Sequence, residues 1–365
     1  MKKRHLIVDA HQDLAWNMVC LGRDYTRTVA ESRQAERGTM VEAINDQTLL
    51  GWDAYQQGRV ALVFSTLFAA PVSAKEGDWD IQWYENDEQA HQMYRQQLDA
   101  YHQLVEEQPH NFTLICSSSE LESHIHRWEK DDSEPQPVGM VILMESADPI
   151  REPAEVELWW QLGVRIIGPA WAKTKYCGGT HDPGPLTDLG YALLEAMAEF
   201  NYILDLSHMD EEAALQSLDT YQKRVIASHS NVKALLKGTD SNRFLSDRVI
   251  QCILERGGII GVVPYNCFLD TNWQKGDPRE QITLDMLVAH IDYICQLAGD
   301  ARHVGIGSDF DGGFGLSAVP KEIETIADLQ LIVPLLEDKG YCDDDIKAIL
   351  GGNWLSLLKE TLPEN

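Results

Sequence analysis

The sequence predicts an α/β fold, a (β/α)8 TIM barrel with inserted loops, and three observations point to it. Short apolar runs recur along the chain with stretches of helical periodicity between them, the pattern of a parallel sheet with right-handed crossovers. Eight such strand–helix units favour closure into a barrel over an open sheet. No G-x-G-x-x-G or Walker A turn follows any of the strands, so dinucleotide-binding and phosphate-loop folds are poorly supported.

Taken in order, the strand-like runs are residues 6–10, 60–67, 138–144, 164–167, 202–206, 225–227, 259–263 and 304–307, with a weaker ninth candidate at 112–116. Each is a short, largely apolar run, as expected of strands buried on both faces. Helical periodicity covers 87–106, 187–200, 211–218, 247–256 and 284–298. Two polar segments, 69–83 and 117–137, depart from the alternation and are read as insertions; the second contains Asp131-Asp-Ser-Glu-Pro-Gln-Pro137. No internal repeat and no long linker is visible, so residues 1–365 are expected to form one barrel domain.

At 365 residues and 44% hydrophobic, the chain is large enough for a barrel, which needs about 250 residues plus insertions. Its formal net charge of −28 argues against nucleic acid held through its phosphates and against a polybasic membrane surface. The start, Met-Lys-Lys-Arg-His, is basic but is followed by too short an apolar run for a signal peptide. No stretch approaches the roughly 18 apolar residues of a membrane span. Seven scattered cysteines suggest reduced thiols rather than a disulfide framework, and a cytoplasmic protein is expected.

In such a barrel the functional groups gather at the carboxyl ends of the strands. The first strand runs into His11-Gln-Asp13, and residues two apart on a strand share a side. The third ends in Glu145, the fifth in Asp-Leu-Ser-His208, the sixth in Ser-His229-Ser, and the eighth in Gly-Ser-Asp309-Phe-Asp311-Gly. Singly, each has an ordinary explanation as a capped loop, a satisfied buried histidine or a turn aspartate. Jointly, three histidines and three carboxylates on one rim exceed what one zinc needs and suffice for about two.

These motifs in this order resemble the membrane (renal) dipeptidase family, a branch of the metal-dependent amidohydrolases. Gly163-Val-Arg165, Gly184-x-Leu186-Thr-x-x-Gly190 and Gly352-Asn-Trp-Leu355 extend the resemblance over nearly the whole chain. The resemblance implies two zinc ions per chain. His11, Asp13 and Glu145 would hold one and Glu145, His208 and His229 the other, with Glu145 and a hydroxide as bridges. It implies Asp309 as the catalytic base, Arg243 as the grip on the substrate's terminal carboxylate, and a homodimer. The implied substrates are small dipeptides, including those with a D-residue at the C-terminal position.

One segment departs from the family pattern. Where its dipeptidases commonly carry a histidine after the fourth strand, this chain has Trp171, whose indole N–H donates one hydrogen bond but is neither acid nor cation. Lys175, Tyr176 and His181 on the following glycine-rich loop are candidate substitutes. Trp171 keeps a second substrate class open, N-acyl amino acids or related lactones. A catalytically silent metal-binding protein is a third reading, disfavoured because Asp309 accompanies all five ligands. The other histidines, at 5, 91, 102, 110, 124, 126, 290 and 303, are expected to be structural, and Trp79, Trp83, Trp159 and Trp160 to be packing residues.

Overall fold

The structure, a computed structural model, describes residues 4–75, 77–130 and 134–364. The basic start at 1–3 and the Asp131-Asp-Ser part of the polar run lie outside the described residues. Barrel strands are β1 (Ile7–Gln12), β2 (Val60–Leu67), β3 (Val138–Met144), β4 (Val164–Ile167), β5 (Ile203–Asp205), β6 (Val225–Ala227), β7 (Ile259–Val262) and β8 (Val304–Ile306). Each pairs in parallel with its sequence neighbour, and Asp9 opposite Ile306 joins β1 to β8, closing the ring. Closure leaves the ring no unpaired edge. The weak ninth run is a short strand, Phe112–Leu114, that pairs with β3 on a second edge outside the ring.

Inward side chains fill the barrel. Val8, Ala10, Leu62, Phe64, Val141, Leu143, Ile166, Ile203, Ile226 and Ile259 form one buried cluster with Trp354. Trp354, on the closing helix Asn353–Thr361, plugs the end of the barrel opposite the ligand rim. Its indole N–H donates to the Ile306 carbonyl at 3.2 Å, and its ring meets Phe64 edge-on. Gly305 makes room for it, because a Cβ there would lie 2.2 Å from Trp354 Nε1. The Gly-Asn-Trp-Leu motif is thus a barrel plug, held by Asn353 donating to the carbonyls of Ala301 and Val304.

All five expected helices form, with ends within a few residues of the periodic pattern: Asp87–Glu107, Asp188–Glu199, Glu211–Thr220, Asp247–Glu255 and Leu284–Ala298. The segment 117–137 is more regular than an inserted loop. Ser118–Lys130 is a helix whose start is capped by Ser117 and Glu120, and its buried face (Leu121, His124, Trp128) packs against the barrel. The segment 69–83 does project from the barrel, pinned by pairing of Ala70–Pro71 with Trp83–Tyr84. Short helices, Leu14–Leu21 to Trp52–Gly58, carry the chain from β1 to β2. Among the described residues no helix is long and apolar enough to cross a membrane.

Candidate metal centre and active site

The strand ends converge as the barrel geometry requires. At β5 and β6, the Asp205 carboxylate ties the two loops together, accepting from the Ser207 and Ser228 amides at 3.0 and 2.8 Å. Ser228 Oγ donates its proton to Asp205 at 2.5 Å, so toward His229 Nδ1, 2.8 Å away, it can only accept. That places the His229 ring proton on Nδ1 and leaves Nε2 bare. Thr180 repeats the arrangement. Its hydroxyl donates to the His208 carbonyl and accepts from His208 Nδ1 at 3.0 Å. Two bare Nε2 atoms therefore face each other at 2.9 Å, an arrangement that asks for a shared cation. A proton does not serve there: burial, then the Arg243 cation, pushes His208 down to about 3. Burial, then His11 and Arg243, depresses His229 well below its ordinary value.

At β1 and β8 the donors are mostly carboxylates. Asp9 anchors this side by accepting from the Ser308 amide, the Ser308 hydroxyl and Gln12. A shift of register in β1 between Asp9 and Gln12 precedes Asp13, which stands at the start of helix Leu14–Leu21 and accepts from Thr66. His11 Nε2 lies 3.9 Å from Asp13, 3.9 Å from Asp309 Oδ1 and 3.7 Å from Glu145 Oε2. Burial opposes charge on His11, but Glu145, Asp13 and Asp309 outweigh it and hold its pKa up to about 10. Burial, then Glu145, raises Asp13 to about 6. Burial likewise raises Asp309 well above the carboxylate range, with Asp13 and Glu145 adding to it.

Glu145 stands between the two halves. Its Oε2 faces His11, while Oε1 is 3.3 Å from His208 Nε2 and 3.7 Å from His229 Nε2. Burial would raise this carboxyl, yet His11 and His208 hold it below the usual range. The groups His11–Glu145–His229 and His11–Asp13–Asp309 each bring their ligand atoms within 4.8 Å of one another. Both nitrogens of the fully buried His11 and the Oε2 of Glu145 lack hydrogen-bond partners. Buried polar atoms are ordinarily satisfied, so this donor set fits divalent metal. His208 and Asp309 hold positive φ of 66° and 58°, rare for residues with a Cβ and a form of strain that clusters at functional sites. Gly312 is obligatory nearby, since a Cβ would sit 2.1 Å from Asp309 Oδ1.

Above the ligands opens a cavity of about 240 Å³. Asp13, Glu145, His208 and Asp309 form its polar floor, and Trp16, Phe68, Trp79, Trp171, Tyr265, Phe268 and Phe314 much of its wall. Trp171 is in this wall, against Phe68 and His208. Trp79, expected to be a packing residue, is here too, carried in by the 69–83 insertion. Tyr176 is not: it is fully buried and its hydroxyl donates to the Ile150 carbonyl, so it has no access to substrate. Lys175 is tied to Asp87 and the Arg151 carbonyl, and His181 is exposed.

Arg243 is buried beside the ligands, donating to Ser230 Oγ and the His229 carbonyl, with its guanidinium over Phe268. No carboxylate lies within ion-pair distance of it among the described residues, and its Nε lacks a partner. Asp311 is structural, binding Arg23, Tyr25, Thr48 and the Leu49 amide. Sequence reasoning missed the supports of the ligands. Asp205, inside Asp-Leu-Ser-His208, was the available signal, being a carboxylate in an otherwise apolar strand end. Thr180 offered none, because it comes from a loop distant in sequence from His208.

A closed parallel barrel whose strand ends present this donor set defines a metal-dependent hydrolase. The family model described as membrane dipeptidase (peptidase family M19) matches residues 1–363, and the chain belongs to that family. It is 30% identical over 274 residues to an uncharacterized protein of the pqqA 5' region of Klebsiella pneumoniae, covering 72% of this chain and 94% of that one. It is 29% identical to the dipeptidase aclJ of Aspergillus oryzae, over 72% of this chain and 60% of the relative. Among solved structures, a Rhodobacter sphaeroides metallopeptidase bound to a phosphinate mimic of L-Ala-D-Ala superposes with a TM-score of 0.78. At 21% identity, with 98% of this chain and 100% of that one covered, it shares the fold. The chain is a hydrolase of the metallopeptidase class, dipeptidase type.

Proposed function

We propose that the protein is a dinuclear zinc dipeptidase that cleaves the amide bond of small dipeptides, including those with a D-residue at the C-terminal position. The observation that carries the reading is Glu145, whose two oxygens face two different sets of donors. His11 and Asp13 with Glu145 would hold one ion, and His208 and His229 with Glu145 the other. When bound, the ions supply a water of lowered pKa and polarise the amide carbonyl. Asp309, on the cavity floor and fixed by its amide's bond to the His11 carbonyl at 3.2 Å, takes the water proton at its carboxylate and passes it to the departing amine. Arg243, a buried cation without an anionic partner, is the group suited to a substrate carboxylate. Metal analysis of purified, zinc-loaded protein tests the reading: close to two zinc ions per chain are expected, and fewer than one in folded protein would sink it.

The apolar wall and Trp171 favour one alternative, hydrolysis of N-acyl amino acids or lactones at the same ions. Comparing free dipeptides with their N-acylated and carboxamide-blocked analogues separates the two. Indifference to the carboxylate would remove Arg243 from the mechanism.

A further inference from the structure

Aromatic rings line the cavity on both sides: Tyr265 and Phe314, stacked at 4.2 Å, and Phe268 stand after β7 and β8, on the side where Arg243 lies. In barrel order, Trp16 stands on the helix Leu14–Leu21 that follows β1, Phe68 directly after β2, Trp79 on the insertion that follows it, and Trp171 after β4. Trp16 and Trp79 meet edge-on at 5.9 Å, Phe68 and Trp171 are tilted against each other at 5.2 Å, and Trp171 lies 5.9 Å from the His208 ring. Arg243, after β6, stands behind Phe268 with its guanidinium 5.0 Å from that ring; Phe268 lines the cavity. A dipeptide whose carboxylate points to the Arg243 side and whose amide lies over Glu145 must direct its N-terminal residue at the wall of Trp16, Phe68, Trp79 and Trp171.

We propose, on the dipeptidase reading above, that Trp16, Phe68, Trp79 and Trp171 form a subsite for the N-terminal residue that selects large apolar or aromatic side chains. Four rings present wide apolar faces, so a small side chain leaves the wall wet and an acidic one is desolvated without a partner, Asp80 being the carboxylate in the lining beside Trp79. Trp171 is the specificity-determining residue. Its ring lies against both Phe68 and the His208 ring, so it joins the wall to the metal-ligand rim with a broad apolar surface and a single N–H donor. Trp79 completes the box from outside the barrel, which gives the 69–83 insertion a use in substrate choice.

The test is kcat/KM of zinc-loaded protein for two series, Xaa-Leu and Leu-Xaa, with Xaa running through Gly, Ala, Leu, Phe and Trp. The Xaa-Leu series is expected to rise by about tenfold or more from Ala to Phe, the scale of discrimination one apolar pocket supplies. The Leu-Xaa series should vary less. Trp171→Ala and Trp79→Ala should each lower the Phe-Leu to Ala-Leu ratio by about fivefold or more. Trp79 is half-exposed on an insertion, so its variant remains informative if Trp171→Ala fails to fold. A flat Xaa-Leu series, steeper selection in Leu-Xaa, or unchanged ratios in both variants would overturn the subsite. Failure to hydrolyse any dipeptide at full metal content would instead remove the dipeptidase reading itself.

Discussion

Ser228→Ala probes the metal centre without touching a ligand. In the wild type the Ser228 hydroxyl donates to Asp205 at 2.5 Å and accepts from His229 Nδ1 at 2.8 Å, which keeps His229 Nε2 free of a proton. Without the hydroxyl, His229 has two poor choices. It leaves a buried Nδ1–H unsatisfied, at about 1–3 kcal/mol, or it moves the proton to Nε2 and loses its ligating lone pair. Either outcome should weaken binding of the ion proposed for His208 and His229, by about 10–100-fold for loss of such a support, or about 1.4–2.8 kcal/mol at 1.4 kcal/mol per tenfold. Asp205 retains the Ser207 and Ser228 amides, so β5 and β6 stay joined, and the metal-free protein should remain folded while losing about 1–3 kcal/mol in denaturant unfolding. Zinc titration against a chromophoric chelator reads the affinity, and one of two binding steps is expected to weaken. Unchanged affinity for both ions would refute the tautomer argument and with it His229 Nε2 as a ligand.

Asp309→Asn keeps the shape of the side chain but removes the proton acceptor; kcat is expected to fall by about 10²–10⁴ with zinc content retained, and an unchanged rate would remove Asp309 as base. Trp354→Ala empties the barrel plug and should cost about 3–5 kcal/mol in urea unfolding, while a loss below 1 kcal/mol would show that the barrel end closes without it. Burial pushes His290 and His124 down to about 4, and His290 Nδ1 accepts from the Val232 amide only when unprotonated. Because these folded pKa values lie below the unfolded value of about 6.5, their contribution is complete above that pH. It is lost as pH falls from about 6.5 to 4, by at most about 3 kcal/mol per histidine. His290→Gln preserves an acceptor without titrating and should flatten the acid limb of stability against pH in urea melts; an unaltered limb would contradict the assignment.

The barrel and the histidines and carboxylates of its rim were legible in the sequence because they rest on local pattern. Apolar runs of strand length alternate with helical periodicity, and the residues that break each run are the ones the barrel lifts to its rim. The segment 117–137 was less legible. Its polar face masked a helix whose buried stripe of Leu121, His124 and Trp128 is chosen by what it packs on, not by composition. Tyr176 shows the same limit in reverse: on the chain it is a loop residue near the rim, and only the fold turns its hydroxyl inward to Ile150.

By itself, then, the sequence determined the family, the (β/α)8 architecture and the rim of histidines and carboxylates, since each follows from residue type and period. Only the tertiary structure decided which nitrogen His208 and His229 present, that Glu145 stands between two groups of donors, and that aromatic rings from the segments after five different strands wall one cavity. Those are relations between side chains far apart in sequence, set by strand closure and packing, and no local pattern encodes them.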